Sequence, residues 1–359
     1  MGGIERVVVI ELLKSYKKKE KFIKDLWSGK LDIKFLEYHK IDMLYFFKSN
    51  EKYLDVKSFN YLNNKKRIHE EHNEKYKEIA ERLTEEFEIK DISHVFLKGI
   101  FCSEFLYPKK WIRYYGDIDL LIEKTNIKKV EKILKKEDFV FGKADTIHKS
   151  IITASRRDIL FQQTFTHEIY NMVRKEKEWF SNVDTNFLFS WNGFENSLYN
   201  KTINDFKDHI VKKGKLYFFD NITNFLHMCC HLYNEAVYFQ LDKGFSGGDP
   251  KEIQLNRIFD IVLLADKFNQ IDFDSVLDIS EKQKILEKVQ FSMKLINCLL
   301  GEKTINCNNK LMEYDSINLN IYVDENSEVK EWEISPIERV FDLNKKNEVS
   351  KILFPERSK

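Results

Sequence analysis

Apolar and ring-bearing side chains recur every three or four residues through the first ninety positions, as in Leu36, His39, Leu44 and Phe47 and again in Tyr76, Ile79, Leu83 and Phe87. That spacing predicts helices with one stripe turned to a core and charged residues outside. The run Asn63-Asn64-Lys65-Lys66-Arg67 followed by His69-Glu70-Glu71-His72 reads as a solvated helix face. Its mixed signs argue against a basic nucleic-acid surface.

From Ile92 the texture changes to short β-like runs at 95–97, 118–122, 160–170 and 183–189, with helices expected over 101–106 and 127–136. Strand, helix, strand, helix, strand, strand predicts an α+β fold: a mixed sheet flanked by helices, with helical N-terminal and C-terminal regions. After Trp191 the helical period returns, most clearly over 221–239, 254–268 and 281–300, and the last fifty or so residues carry one strand expectation, at 319–323. Three regions follow: a helical 1–90, a core over 91–190, and a mostly helical 191–359 with an irregular tail. Gly244-Phe245-Ser246-Gly247-Gly248-Asp249-Pro250 reads as a connecting loop, with a substrate-facing role as the alternative.

Composition narrows the partners. Lys and Arg number 59 against 58 Asp and Glu, a net charge of +1, so nothing pulls the whole molecule toward a membrane or an extended nucleic acid, although a tRNA end stays open. Aromatic residues at 14% with only 4 prolines argue for a folded, helix-rich chain. Five cysteines, odd in number and without CxxC spacing, suit a reducing cytoplasm rather than a disulfide framework. The N-terminal run Val7-Val8-Val9-Ile10, followed by Glu11 and a lysine-rich stretch, resembles neither a secretion signal nor a membrane span.

The densest chemistry lies in Tyr115-Gly116-Asp117-Ile118-Asp119-Leu120-Leu121-Ile122. On a strand, alternate side chains share a face, so Asp117 and Asp119 project together while Ile118 and Leu120 line the other side. Paired carboxylates suit Mg²⁺, a hard cation that bridges them to substrate phosphates. Two divalent ions need a third carboxylate, and Asp184, opening the last β-like run, is the candidate; a turn or helix cap is its other role. Upstream, Leu97-Lys98-Gly99 joins a strand to a helix. Gly99 would let backbone approach a phosphate, the helix N-terminus offers N–H groups, and Lys98 adds a point charge. Arg113 can serve as a forked donor, and surface ion pairs are the alternative for both cations.

His227, Cys229, Cys230 and His231 have an i, i+4 pattern on an apolar helix, which reads as core packing ahead of a zinc site. His231 and Arg257 could face a cleft, and Arg257 could pair with Asp260 along its helix.

Leu97-Lys98-Gly99, Leu106-Tyr107-Pro108, Arg113 and Gly116-Asp117-Ile118-Asp119-Leu120-Leu121-Ile122 resemble the signature of the uncharacterised nucleotidyltransferase family of the polymerase-β superfamily. The resemblance continues through Val183-Asp184-Thr185-Asn186-Phe187, residues 225–232, Arg257-Ile258-Phe259-Asp260-Ile261 and Leu353-Phe354-Pro355. It implies a minimal nucleotidyltransferase sheet, two metal-binding aspartates on one strand, a third on a later strand, and a helical C-terminal region. The chain departs from the wider superfamily in its Lys98-Gly99 turn, its longer interval to Asp117, and Asn186 where relatives often place histidine.

The expected activity is Mg²⁺-dependent transfer of a nucleoside monophosphate from a triphosphate, ATP favoured, to an unidentified acceptor hydroxyl, with release of pyrophosphate. Asp117, Asp119 and Asp184 are the expected catalytic and metal-binding residues, and Lys98, Gly99, Arg113 and Gly116 the expected nucleotide contacts. The alternatives are a non-catalytic partner protein of toxin–antitoxin type, or a phosphotransferase acting on a small molecule or peptide.

Overall fold

The computed structural model describes residues 2–17, 33–49, 54–177, 179–191, 200–238, 253–307, 310–324 and 326–342. The glycine-rich segment 244–250 and the 353–355 motif lie outside them. Helices α1 (Gly2–Lys17), α2 (Ile33–Tyr38), α3 (Asp42–Lys48) and α4 (Val56–Ile89) make up the N-terminal region. The sheet strands are β1 (His94–Phe96), β2 (Ile118–Ile122), β3 (Val140–Asp145), β4 (Ser150–Thr153), β5 (Met172–Lys175) and β6 (Phe180–Asn186), interrupted by α5 (Lys98–Phe105), α6 (Ile127–Lys136) and α7 (Arg156–Phe165). A hairpin, β7 (Ile210–Lys213) and β8 (Leu216–Phe219), leads into α8 (Asn221–Val237), α9 (Leu255–Ala265), α10 (Gln270–Lys282) and α11 (Leu286–Leu300). The short pair β9 (Ile321–Val323) and β10 (Val329–Glu331) precedes α12 (Pro336–Phe341).

The six strands run in the order β1-β2-β6-β5-β3-β4, with β2 and β6 parallel and every other pair antiparallel. The expected α+β class with a mixed sheet is therefore the observed one. β2 is buried along its whole length, which suits its run of Ile and Leu.

Helix α4 is the spine behind the central strands. Asp55 caps it by accepting from the Ser58 N–H, and its inward residues, including Asn73, Tyr76, Ile79, Leu83 and Phe87, keep the helical period. Most of 63–72 is exposed, as the charge pattern predicts, and His69 is the buried exception. The N-terminal and C-terminal helices also meet. Arg6 donates to the carbonyls of Cys298 and Leu299 at the end of α11, where orphan acceptors and the negative helix end favour a cation. Buried residues of all three regions join one hydrophobic cluster.

Several expectations need correction. The stretch 160–170 is not a strand: α7 occupies 156–165, capped by Ser155 accepting from the Asp158 N–H, and only Glu168 bridges to β6. The apolar residues there misled because Leu160 and Phe165 are exposed on the helix. The helix expected at 101–106 begins at Lys98, the last sheet strand begins at Phe180, and 281–300 contains the end of α10 and a separate α11. Strands β3 and β4 carry no clean apolar alternation and so no strand signal in the sequence. Among the described residues no helix is long and apolar enough to cross a membrane, and Cys102, Cys229, Cys230 and Cys298 are free thiols.

Candidate functional site

The parallel pairing of β2 and β6 sets Asp119 opposite Asp184 in register. Asp117 sits one residue before β2, and all three aspartates line one cleft of about 480 Å³, with the sheet on one side and α8 and α9 on the other. That size suits a nucleotide-sized ligand. Lys98, Gly99, Arg113 and Gly116 line the same cleft, so the structure brings all seven expected site residues together.

The turn carrying Gly116 and Asp117 is fixed from behind by α4. The Tyr76 hydroxyl donates to the Gly116 carbonyl at 2.6 Å, and Asn73 Nδ2 donates to the carbonyls of Lys110 and Arg113 and to Ser103 Oγ. The Tyr115 hydroxyl returns a bond to the Asn73 carbonyl. A rigid helix thus sets the position of a loop, which is how a site residue keeps one orientation.

Lys98 opens α5 in a left-handed conformation, φ 39°, a costly state for a side chain with a Cβ. Its ammonium reaches Asp119 Oδ1 at 3.0 Å. Gly99 is required for packing: a Cβ there would lie 2.5 Å from Tyr115 Cβ. That reason differs from phosphate approach, and only the fold reveals it.

Arg113 lines the cleft yet is only 8% exposed. Its Nε donates to both oxygens of Asp260, at 3.1 and 2.8 Å, and its Nη1 donates to the Tyr114 carbonyl. The Tyr107 hydroxyl adds a third bond to Asp260, which is 2% exposed. Burial works against the Arg113 charge, but the Asp260 carboxylate more than offsets it and raises the guanidinium's pKa. Arg113 is therefore an ion-pair anchor between the 113–117 loop and α9. Asp260 is not the partner of Arg257, as the i, i+3 spacing suggests; Arg257 turns to Glu235 on α8.

Helix α8 supplies the opposite wall, with His227, His231, Asn234 and Glu235 on one face. His231 Nε2 lies 3.2 Å from Glu235 Oε1. His227 is 4% exposed; burial, helped by Lys98 and His167, pushes its pKa well below the usual imidazole range, so it is neutral, and its Nδ1 has no hydrogen-bond partner among the described residues. Cys229 and Cys230 are in the core, as the apolar helix pattern predicts. His167 stacks on Trp191 at 5.1 Å, and Glu168, held by Gln162 at 2.8 Å, completes the rim with Asn186. Glu235, His167 and Glu168 carried no sequence signal strong enough to select them, because each stands alone in its local pattern.

Helix α9 is itself capped from the N-terminal region. The buried His39 accepts from the Leu255 N–H through Nδ1 and donates from Nε2 to the Val340 carbonyl, while its own carbonyl accepts from Asn256. A segment more than 200 residues upstream thereby positions the helix that bears Arg257 and Asp260.

The donor set suits a hard divalent cation, since carboxylate oxygens predominate around Asp119, and the Lys98 ammonium on Asp119 already stands in for a positive charge. Among the described residues no group of three or more His, Cys, Asp or Glu side chains gathers closely enough to hold a metal unaided. Phosphate oxygens and water would complete the shell, as is usual for Mg²⁺.

The family model described as uncharacterised nucleotidyltransferase matches residues 36–301, well over half of the chain. No curated protein and no solved structure matches it.

Proposed function

Because the chain belongs to the uncharacterised nucleotidyltransferase family, we propose that it is a Mg²⁺-dependent enzyme that moves a nucleoside monophosphate from a nucleoside triphosphate to an acceptor hydroxyl. The observation that carries this function is the β2–β6 register, which sets Asp184 beside Asp119 with Asp117 in the same cleft. Three carboxylates gathered in one cleft, with Asp119 buried and Asp117 and Asp184 partly so, repel one another unless cations balance them.

Asp117, Asp119 and Asp184 would hold the magnesium. When bound, it would neutralise charge growing on the α-phosphate and leaving pyrophosphate. The chain's own residues do the rest. Asp184 accepts the proton of the acceptor hydroxyl as its oxygen bonds to the α-phosphorus and the bond to the bridging oxygen breaks. Lys98 supplies an ammonium to the phosphates, and the N-terminal N–H groups of α5 add partial positive charge. Gly116 keeps the loop before Asp117 slim, its nearest side-chain neighbour being the Tyr114 ring at 3.8 Å from a notional Cβ. Aromatic Phe189, Trp191 and Tyr238 also line the cleft and offer apolar surface for a base or acceptor.

Incubation with Mg²⁺ and α-labelled ATP, GTP, CTP or UTP and candidate acceptors, ATP first, tests this function. Label on an acceptor with release of pyrophosphate is expected from the wild type and not from an Asp117→Asn, Asp119→Asn double variant. Equal behaviour of the two proteins with every nucleotide would sink the catalytic claim. Release of a nucleoside diphosphate would instead indicate a phosphotransferase.

A further inference from the structure

We propose that Arg257 is the triphosphate-binding arginine of this cleft, and that Glu235 holds it in reserve until a nucleotide competes for it; this inference rests on the nucleotidyltransferase function above. Arginine suits such a role because its planar fork pairs with phosphate oxygens in two bonds. Among the described residues two arginines line the cleft, Arg113 and Arg257. Arg113 is committed to Asp260 and the Tyr114 carbonyl, and releasing it would strand a buried carboxylate that also serves Tyr107. Arg257 carries a lighter burden, although Glu235 is itself only 10% exposed. Arg257 is 17% exposed, and its partner Glu235 has a second contact in His231 that survives its departure.

The charges around Arg257 favour the exchange. Burial, with Arg113 close by, pushes its pKa down to about 10 despite the opposing pull of Asp119 and Asp117. An arginine stays protonated at that value, so the physical meaning is a cation poorly compensated by its surroundings. Arg257 lines the same cleft as the aspartate pair, where the phosphates of a bound nucleotide would lie. A polyanion would relieve the repulsion between Arg257 and Arg113, which Glu235 alone leaves in place. The exchange is a substitution of one anion for another around Arg257.

Calorimetric titration of the full chain with Mg²⁺ and each of ATP, GTP, CTP and UTP tests the inference through binding rather than turnover. Arg257→Gln should weaken the best nucleotide about tenfold or more, the scale of a lost bidentate phosphate contact. Glu235→Gln should act in the opposite direction, tightening binding about threefold, because the neutral amide competes less for Arg257. In the Arg257→Gln background, Glu235→Gln should bring no gain. If Arg257→Gln does not fold, the single Glu235→Gln variant decides: tighter binding supports the inference, unchanged or weaker binding overturns it. Wild-type affinity in Arg257→Gln, or a Glu235→Gln gain that persists without Arg257, overturns it while leaving the nucleotidyltransferase function standing. A wild type that binds none of the four nucleotides removes both.

Discussion

Replacing Asp260 by alanine should come close to unfolding this protein. The substitution leaves the Arg113 guanidinium, 8% exposed, without the two oxygens its Nε now contacts at 3.1 and 2.8 Å, and takes the acceptor from the Tyr107 hydroxyl. Removing one partner of a buried ion pair costs about 3–5 kcal/mol, and the orphaned hydroxyl adds about 1 kcal/mol. Total stabilities of about 5–15 kcal/mol leave little margin against that loss. The double variant Arg113→Met, Asp260→Leu removes both charges while keeping apolar volume, so it should lose under about 2 kcal/mol. Urea denaturation followed by tryptophan fluorescence suits the measurement, because Trp111 lies two residues from Arg113 and is buried. Two results would refute the anchoring role of this pair: a loss below about 1 kcal/mol for Asp260→Ala, or single-variant losses that simply add in the double variant.

Other consequences follow from the same contacts. Burial pushes the pKa of His39 to about 3 from an unfolded value near 6.5, so the unfolded chain takes up the proton first as pH falls. Stability present above pH 6.5 should therefore decline between pH 6.5 and 3, by up to about 1.4 kcal/mol per pH unit, and urea midpoints at pH 7 and 5 should show a shallower slope for His39→Gln. Gly99→Ala should cost about 1–3 kcal/mol because its Cβ must displace Tyr115, and a thermal melt unchanged from wild type would contradict that packing. Lys98→Met should lower kcat/KM for nucleotidyl transfer about tenfold or more by removing charge beside Asp119, whereas undiminished transfer would confine Lys98 to a structural ion pair.

Much of the site was legible in the chain itself. The alternation around Asp117 and Asp119 predicts β2, whose observed bounds, 118–122, are those expected, and α6 likewise occupies the predicted 127–136. Asp184, singled out as the opening residue of an apolar run, lies in register with Asp119. These succeed because the period of side chains along a strand or helix is a local property, set by backbone geometry within a few residues. The expected strand at 160–170 failed for a related reason: apolar content alone does not separate an exposed helix from a strand, and the cap at Ser155 decided the outcome.

The sequence by itself determined the α+β class, the family and the chemical character of the cleft: carboxylates with a lysine and arginines among apolar strands. Only the tertiary structure decided which charge meets which. It joined Arg113 to Asp260 across 147 residues, turned Arg257 to Glu235, and used His39 to cap α9 from 216 residues away. Spacing along the chain favoured an Arg257–Asp260 pair, and packing overruled it. Such partners are chosen by the free energy of burying a charge, which depends on the neighbours that packed helices and strands bring to the same interior point.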